Sequence, residues 1–350
     1  MNKLKEVVGS ITPNNKEFLI KAKERLDSLT KPLGSLGVLE DVIMKYCACA
    51  STIKPSSAKK TIFIFAGDHG ITEEKVSAYP KEVTLQMMSN FTSGGACISV
   101  LAKHYGADIV LVDCGVDGEI KDSRVLDKKI AKGTKNFLKM QAMSREEAER
   151  AFLAGIEAVN EKGKEADLIC VGDMGIGNTT SSSAIISLIT GKSAAEVTGR
   201  GTMIDEISLS RKISVIEQSI AIHNPNTEDP LDILSKIGGF EIGGIAGAIL
   251  AAAALKKPVI VDGLITTAAL LLAYKFNPNV VDFVIAGHNS LEKGHRIALD
   301  YLGLRPLIDL DLRLGEGSGA ALASGVLDAS IKIFNEMATF SEAGVSNKND

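Results

Sequence analysis

Two glycine-framed segments of the chain carry residue types suited to holding an anion and moving a proton. In Gly172-Asp173-Met174-Gly175-Ile176-Gly177-Asn178-Thr179-Thr180, glycines alternate with polar residues, and hydroxyls continue to Ser183. Glycine lets the backbone turn tightly and approach an anion, and the hydroxyls stand where a helix would open with free N–H groups. No lysine follows as in a triphosphate-binding loop, so the segment suits a single phosphate. A helix start capped after a glycine turn is the alternative. In Arg313-Leu314-Gly315-Glu316-Gly317-Ser318-Gly319, a carboxylate sits between glycines at the head of a helix, whose dipole favours the ionised form of Glu316. Such a group can serve as a general base, and a pair with Arg313 is the alternative. The segment opens like a dinucleotide fingerprint, but the second strand and acidic residue which that motif needs are missing.

Three other groups invite the same reading. Asp68-His69 and His288-Asn289-Ser290 each follow an apolar run, yet their spacing matches no metal-ligand pattern. A neutral imidazole turned into a polar cleft fits better, and no metal is expected. His104, His223 and His295 fall in helical stretches, facing solvent or satisfied partners. Arg211-Lys212 is a tandem basic pair on a helix, either a solvated face or a phosphate clamp.

Six short apolar or β-branched runs would position these groups, and each ends in or near Gly, Asp or Asn. They are Thr61–Phe65, Ile109–Val112, Leu168–Val171, Pro258–Val261, Val281–Ile285 and Pro306–Leu310. Such runs read as buried parallel strands. Helix-compatible segments lie between them at 82–105, 144–162, 180–190, 209–223 and 290–302. The alternation predicts an α/β fold, a Rossmann-like, mostly parallel sheet with helices on both faces and ligands beyond the strands' carboxyl ends. The first fifty residues read as helices, with 16–28 and 36–50 separated at Thr30-Lys31-Pro32, and 319–343 returns to helix. This predicts an α/β core over 51–325 and a small helical subdomain built from 1–50 and 326–350, with 347–350 a solvated tail.

Composition narrows the function. Lys and Arg number 39 against 43 Asp and Glu, a formal net charge of −4, without the basic excess of a nucleic-acid binder. Aromatics at 5% and no Trp leave little to stack single-stranded bases. The apolar stretch 242–255 is shorter than the roughly 20 residues that span a bilayer, so it reads as a buried helix and no membrane partner is expected. Five cysteines, with no C-x-x-C pair, and a charged opening segment predict a reducing, cytoplasmic setting.

Read together, Arg25 to Gly37 (RLDSLTKPLGSLG), Ala66 to Gly70 (AGDHG), Gly172 to Thr180, Gly238 to Gly244 (GGFEIGG) and Arg313 to Ala321 (RLGEGSGAA) resemble the nicotinate-nucleotide:dimethylbenzimidazole phosphoribosyltransferase family. The resemblance runs over nearly the whole chain, with the motifs in the family's order. It implies transfer of the phosphoribosyl group of nicotinate mononucleotide to 5,6-dimethylbenzimidazole in cobalamin nucleotide-loop assembly. The products would be α-ribazole 5′-phosphate and nicotinate, with inversion at C1′. It also implies a homodimer and no cofactor.

By the same resemblance Glu316 is the general base, and Gly175, Lys212 and Ser290 meet the phosphate. Asp173, Gly177, Asn178 and Thr179 complete the phosphate and ribose site, and Tyr79, Met87 and Leu314 line the base pocket. Asp173 stands where the family often has glutamate, one methylene longer. Tyr79 and Met87 make a bulkier, softer wall than some relatives have, which could favour another benzimidazole, adenine or a phenol. A phosphate-ligand sensor of the same fold is the non-catalytic alternative, but it would have no use for Glu316.

Overall fold

The computed structural model describes residues 2–201 and 204–346. The chain opens with α1 (Asn2–Ser10), α2 (Lys16–Ser28) and α3 (Val38–Ala50), then β1 (Lys60–Gly67), a 3-10 turn (Gly70–Glu74), α4 (Val83–Ser93) and α5 (Cys97–Tyr105). β2 (Ala107–Gly115), β3 (Val125–Asp127), α6 (Arg145–Lys162), β4 (Leu168–Met174), α7 (Asn178–Thr190), α8 (Ala194–Val197) and α9 (Glu206–His223) follow. The remainder is α10 (Pro230–Ile237), α11 (Phe240–Ala254), β5 (Val259–Val261), α12 (Leu264–Phe276), a second 3-10 turn (Pro278–Phe283) and β6 (Val284–Ala286). It closes with β7 (His288–Asn289), α13 (Lys293–Leu302), β8 (Ile308–Asp309), α14 (Ser318–Glu336) and α15 (Phe340–Ala343).

The expected α/β fold is present: six parallel strands in the order β3-β2-β1-β4-β5-β6. Alternate residues feed two cores. Ile62 and Ile64 of β1 join the layer of α3, α5 and α14, while Phe63 and Phe65 join that of α6, α11 and α12. This two-sided burial is why the strands read as unbroken apolar runs. The 242–255 stretch is the buried α11, packed on β1, β2 and β4, and no described helix is long and apolar enough to cross a membrane. α1 packs on α6 and α11, whereas α2 and α3 pack on each other and α3 on α14; Arg25 reaches the carbonyls of Phe334 and Met337. The 347–350 tail lies outside the described residues.

Several boundaries differ from the sequence reading. The run at 306–310 is not in the main sheet: its strand β8 pairs with β7 in a separate two-stranded sheet. The sixth place belongs to β3, whose three residues are too few to stand out as an apolar run. Residues 281–283 form part of a 3-10 turn, leaving 284–286 as strand. The 82–105 segment is two helices, because Gly94 adopts φ +81 and Gly95 leaves no room for a Cβ beside Asn90 Oδ1. The 319–343 segment divides likewise at Met337 to Thr339, where Thr339 caps α15 and bridges to Leu29. Ser290 precedes its helix rather than opening it.

Candidate active site

Strand order reverses between β1 and β4, and in such sheets a crevice opens at that point beyond the carboxyl ends. Asp68-His69 leaves β1 on one side of it, and Gly175-Ile176-Gly177 leaves β4 on the other. Gly177 caps α7 at φ +97, a conformation that strains residues with a side chain. Asn178 Nδ2 donates to Asp173 Oδ2 at 2.9 Å, and Ile176 N donates to Thr84 Oγ1 at 3.1 Å, tying the loop to α4.

Lys212 rises from α9 beneath the start of α7. It is fully buried, and its Nζ donates to Thr179 Oγ1 at 2.8 Å. The neighbouring Arg211 is exposed, so the pair is not a shared solvated face. Burial pulls the Lys212 ammonium down to about 8, with Glu292 opposing the shift. Gly201 adopts φ +51 beside the same two side chains, its Cβ position 3.1 Å from Thr179 Oγ1 and 3.3 Å from Lys212 Nζ. A cation, a hydroxyl and an α-helix N-terminus thus meet at one spot, the donor set for a single phosphate.

Glu316 sits between Gly315 (φ +84) and Gly317 (φ +82), and is itself left-handed at φ +63. For a residue with a Cβ that conformation costs roughly 1–2 kcal/mol. Two contacts hold it there. Gly172 of β4 presses against the Glu316–Gly317 backbone, and the buried Asp262 accepts from Gly317 N at 3.3 Å and Ala320 N at 2.9 Å. Glu316 Oε2 accepts from Ile98 N at 3.3 Å. The helix whose N–H it meets is therefore α5, exposed by the Gly94-Gly95 break, not the α14 it precedes. Its carboxyl lies above the ordinary glutamate range rather than below it. Burial raises it most, Asp262 adds to this, and the Ile98 N–H opposes.

Asp173 is pushed up to about 8, first by burial and then by Asp262, against the Asn178 hydrogen bond. The Gly315 Cβ position lies 3.4 Å from its carboxylate, so Asp173 links the two glycine segments. Ser290 is buried nearby in sequence to Glu292, its Oγ donating to Leu312 O at 3.1 Å and its N–H to His295 Nδ1 at 3.0 Å. His295 does not face solvent: it is buried and held down at about 3.

The base-pocket candidates are less closely joined. Met87 is half-buried on α4, 3.8 Å from Asn90 Nδ2, while Tyr79 and Leu314 stand exposed. Tyr79 borders an open cavity of about 780 Å³ lined by Asp68, His69, Thr72, Lys132 and Asn136 among others. Neither Met87 nor Leu314 lines it. Among the described residues, no group of three or more His, Cys, Asp or Glu is arranged for a metal ion.

The sequence reading gave no role to the buried carboxylates Asp262, Glu241 and Glu292. Asp262 and Glu241 each had a signal, an acid beside glycine after a strand or at a helix head.

The chain matches the phosphoribosyltransferase family over residues 11–345. It is 52% identical over 349 residues to a nicotinate-nucleotide–dimethylbenzimidazole phosphoribosyltransferase of Geotalea uraniireducens, covering 99% of both chains. A Chloroflexus aggregans protein of the same name is 47% identical over 352 residues, covering 100% of both. Among solved structures, CobT from Thermus thermophilus superposes with TM-score 0.91 at 44% identity, covering 95% of this chain and 99% of that one.

Proposed function

The chain belongs to the nicotinate-nucleotide–dimethylbenzimidazole phosphoribosyltransferase family, and on that premise we propose that it transfers the phosphoribosyl group of nicotinate mononucleotide to 5,6-dimethylbenzimidazole, as a step of cobalamin nucleotide-loop assembly. The observation that carries this reading is the convergence of an anion loop and a buried carboxylate: Gly172 presses against Glu316, and Asp173 lies beside Gly315.

Lys212, Thr179, Gly175 and the first N–H groups of α7 hold the phosphate, with Ser290 completing the site. Asp173, Gly177 and Asn178 shape the ribose side. One benzimidazole nitrogen attacks C1′ and forms the new C–N bond, while the bond from C1′ to the nicotinate ring nitrogen breaks. Its electron pair neutralises the pyridinium, so nicotinate leaves without acid assistance. Attack opposite the leaving group inverts the β-linkage to α.

The other benzimidazole N–H becomes acidic as positive charge develops, and Glu316 accepts that proton. A carboxylate in a partly desolvated site, with its proton affinity raised, is a stronger base than one in water. Aligning two bound reactants supplies the rest. Tyr79, Met87 and Leu314 form the wall that selects the base. Five free cysteines, four of them buried, suit a reducing cytoplasm, and a homodimer is part of this reading. Light scattering should give a mass near twice the 37.0 kDa chain.

The test is an incubation of the purified protein with nicotinate mononucleotide and a panel of benzimidazoles, adenine and phenols, read by mass spectrometry. Ribazole phosphate with stoichiometric nicotinate is expected, with dimethylbenzimidazole ranked first. No ribotide with any base would overturn the reading. Substituting Tyr79 and Met87 should reorder the bases, and an unchanged ranking would remove both from the pocket wall.

A further inference from the structure

The Asp68-His69 and GGFEIGG motifs have no part in the chemistry above, yet they meet beneath the phosphate loop. His69, Glu241 and Ser181 are all buried. His69 Nε2 lies 2.6 Å from Glu241 Oε1, and His69 Nδ1 lies 3.1 Å from Ser181 Oγ. Ser181 Oγ also lies 3.4 Å from Gly238 O. At 2.6 Å two bare lone pairs would repel, so one proton lies between Nε2 and Oε1, whichever atom it is assigned to.

The three side chains join three pieces of backbone: the turn after β1, the first turns of α7, and the head of α11. The loop rests on them directly. A Cβ at Gly175 would lie 3.3 Å from Glu241 Oε1, and one at Gly177 would lie 3.2 Å from His69 Cβ. Gly67 and Gly239 also close on the pair, their Cβ positions 2.9 and 2.8 Å from Glu241 Oε2. Among the described residues that oxygen has no hydrogen-bond partner, so Glu241's anchorage runs through His69. An apolar plug would fill the space without the cost of burying polar groups, but it would not fix the register of one loop against the other.

We propose that the buried His69–Glu241 pair and Ser181 position the phosphate loop, setting how firmly the nucleotide is held without touching it. The proposal rests on the reading of residues 172–180 as the phosphate site. All three are positioning residues, and their removal should act on one substrate only.

The experiment measures KM for nicotinate mononucleotide and for the base separately, with kcat, in Glu241→Ala, Glu241→Gln and Ser181→Ala. Calorimetric binding of nicotinate mononucleotide accompanies the kinetics. Glu241→Ala should raise KM for the nucleotide by about tenfold, the size of one buried hydrogen bond, leaving kcat and the base KM little changed. Glu241→Gln, whose amide can still donate to His69 Nε2, should restore most of the affinity. Ser181→Ala should weaken nucleotide binding by a smaller factor. Equal loss for both substrates, or no rescue by Gln, would overturn the proposal. If Glu241→Ala does not fold, Ser181→Ala decides, and an unchanged nucleotide affinity rejects the proposal. Lys212→Ala separates the two readings. If it leaves nucleotide KM unchanged, the phosphate assignment fails and this proposal falls with it. If it raises that KM while Ser181→Ala and Glu241→Ala do not, the positioning role alone is rejected.

Discussion

Burial acts on Lys212 and Glu316 in opposite senses. It disfavours the charged form of each, lowering the lysine and raising the glutamate. For Lys212 the fall is from 10.5 to about 8, so the folded protein without ligand holds this proton less tightly than the unfolded chain. Between those values the unfolded chain binds more protons, and this group's contribution to stability rises with pH. A bound phosphate reverses the preference, because it favours the ammonium. Nucleotide binding should therefore draw in a proton near pH 8 and weaken as pH climbs beyond it. Calorimetry in buffers of different ionisation enthalpy reads that uptake, and Lys212→Arg, always charged, should flatten it. A flat wild-type profile would take Lys212 away from the phosphate. The tandem Arg211-Lys212 was legible as a candidate, but which side chain turns inward depends on where α9 meets α7. Sequence spacing does not carry that information.

At the scale of elements, glycines decide more than the apolar pattern does. The pair Gly94-Gly95 divides an otherwise continuous helical stretch, and the division gives α5 the free N–H that meets Glu316. Periodicity alone runs across that break, because the residues on both sides keep helical spacing. Glycines on α6 and α11 bring those helices into backbone contact: a Cβ on Gly155 would overlap the Gly244 carbonyl oxygen, and one on Gly247 that of Phe152. Gly155→Ala should therefore cost about 1–3 kcal/mol despite alanine's better helix propensity. Urea unfolding measures it, and an unchanged or higher midpoint would contradict the close approach. The misplaced sixth strand has a related cause. Pro306–Leu310 is the longer apolar run, but an edge strand pairs on one side only, and the three residues Val125–Asp127 suffice to pair with β2.

For the whole molecule, the alternation of strand and helix was sufficient to predict the α/β fold. It also indicated that the chemistry gathers where strands end. The order β3-β2-β1-β4-β5-β6 was not legible, since nothing local states which strands become neighbours. That order places the turn after β1 opposite the loop after β4, and so brings His69 under Gly177. Glu316 and the Gly172–Thr180 segment, the end of β4, a three-residue turn and the head of α7, were readable because glycine-framed polar residues stand out. The roles of Asp262 and Glu241 were not, because a lone acid beside glycine looks the same whether it braces a loop or caps a helix. The proposed transfer turns on Glu316 as the group that takes the benzimidazole proton. Its most direct test compares wild type with Glu316→Gln, following ribazole phosphate and nicotinate formation together with nucleotide binding. Turnover should fall by about 100-fold or more while nucleotide affinity holds, since the amide cannot accept a proton. In the wild type the acid limb of kcat/KM, which reports the free enzyme, should lie above the ordinary glutamate range, with rate lost as pH falls through it. An unchanged kcat in Glu316→Gln would contradict the account.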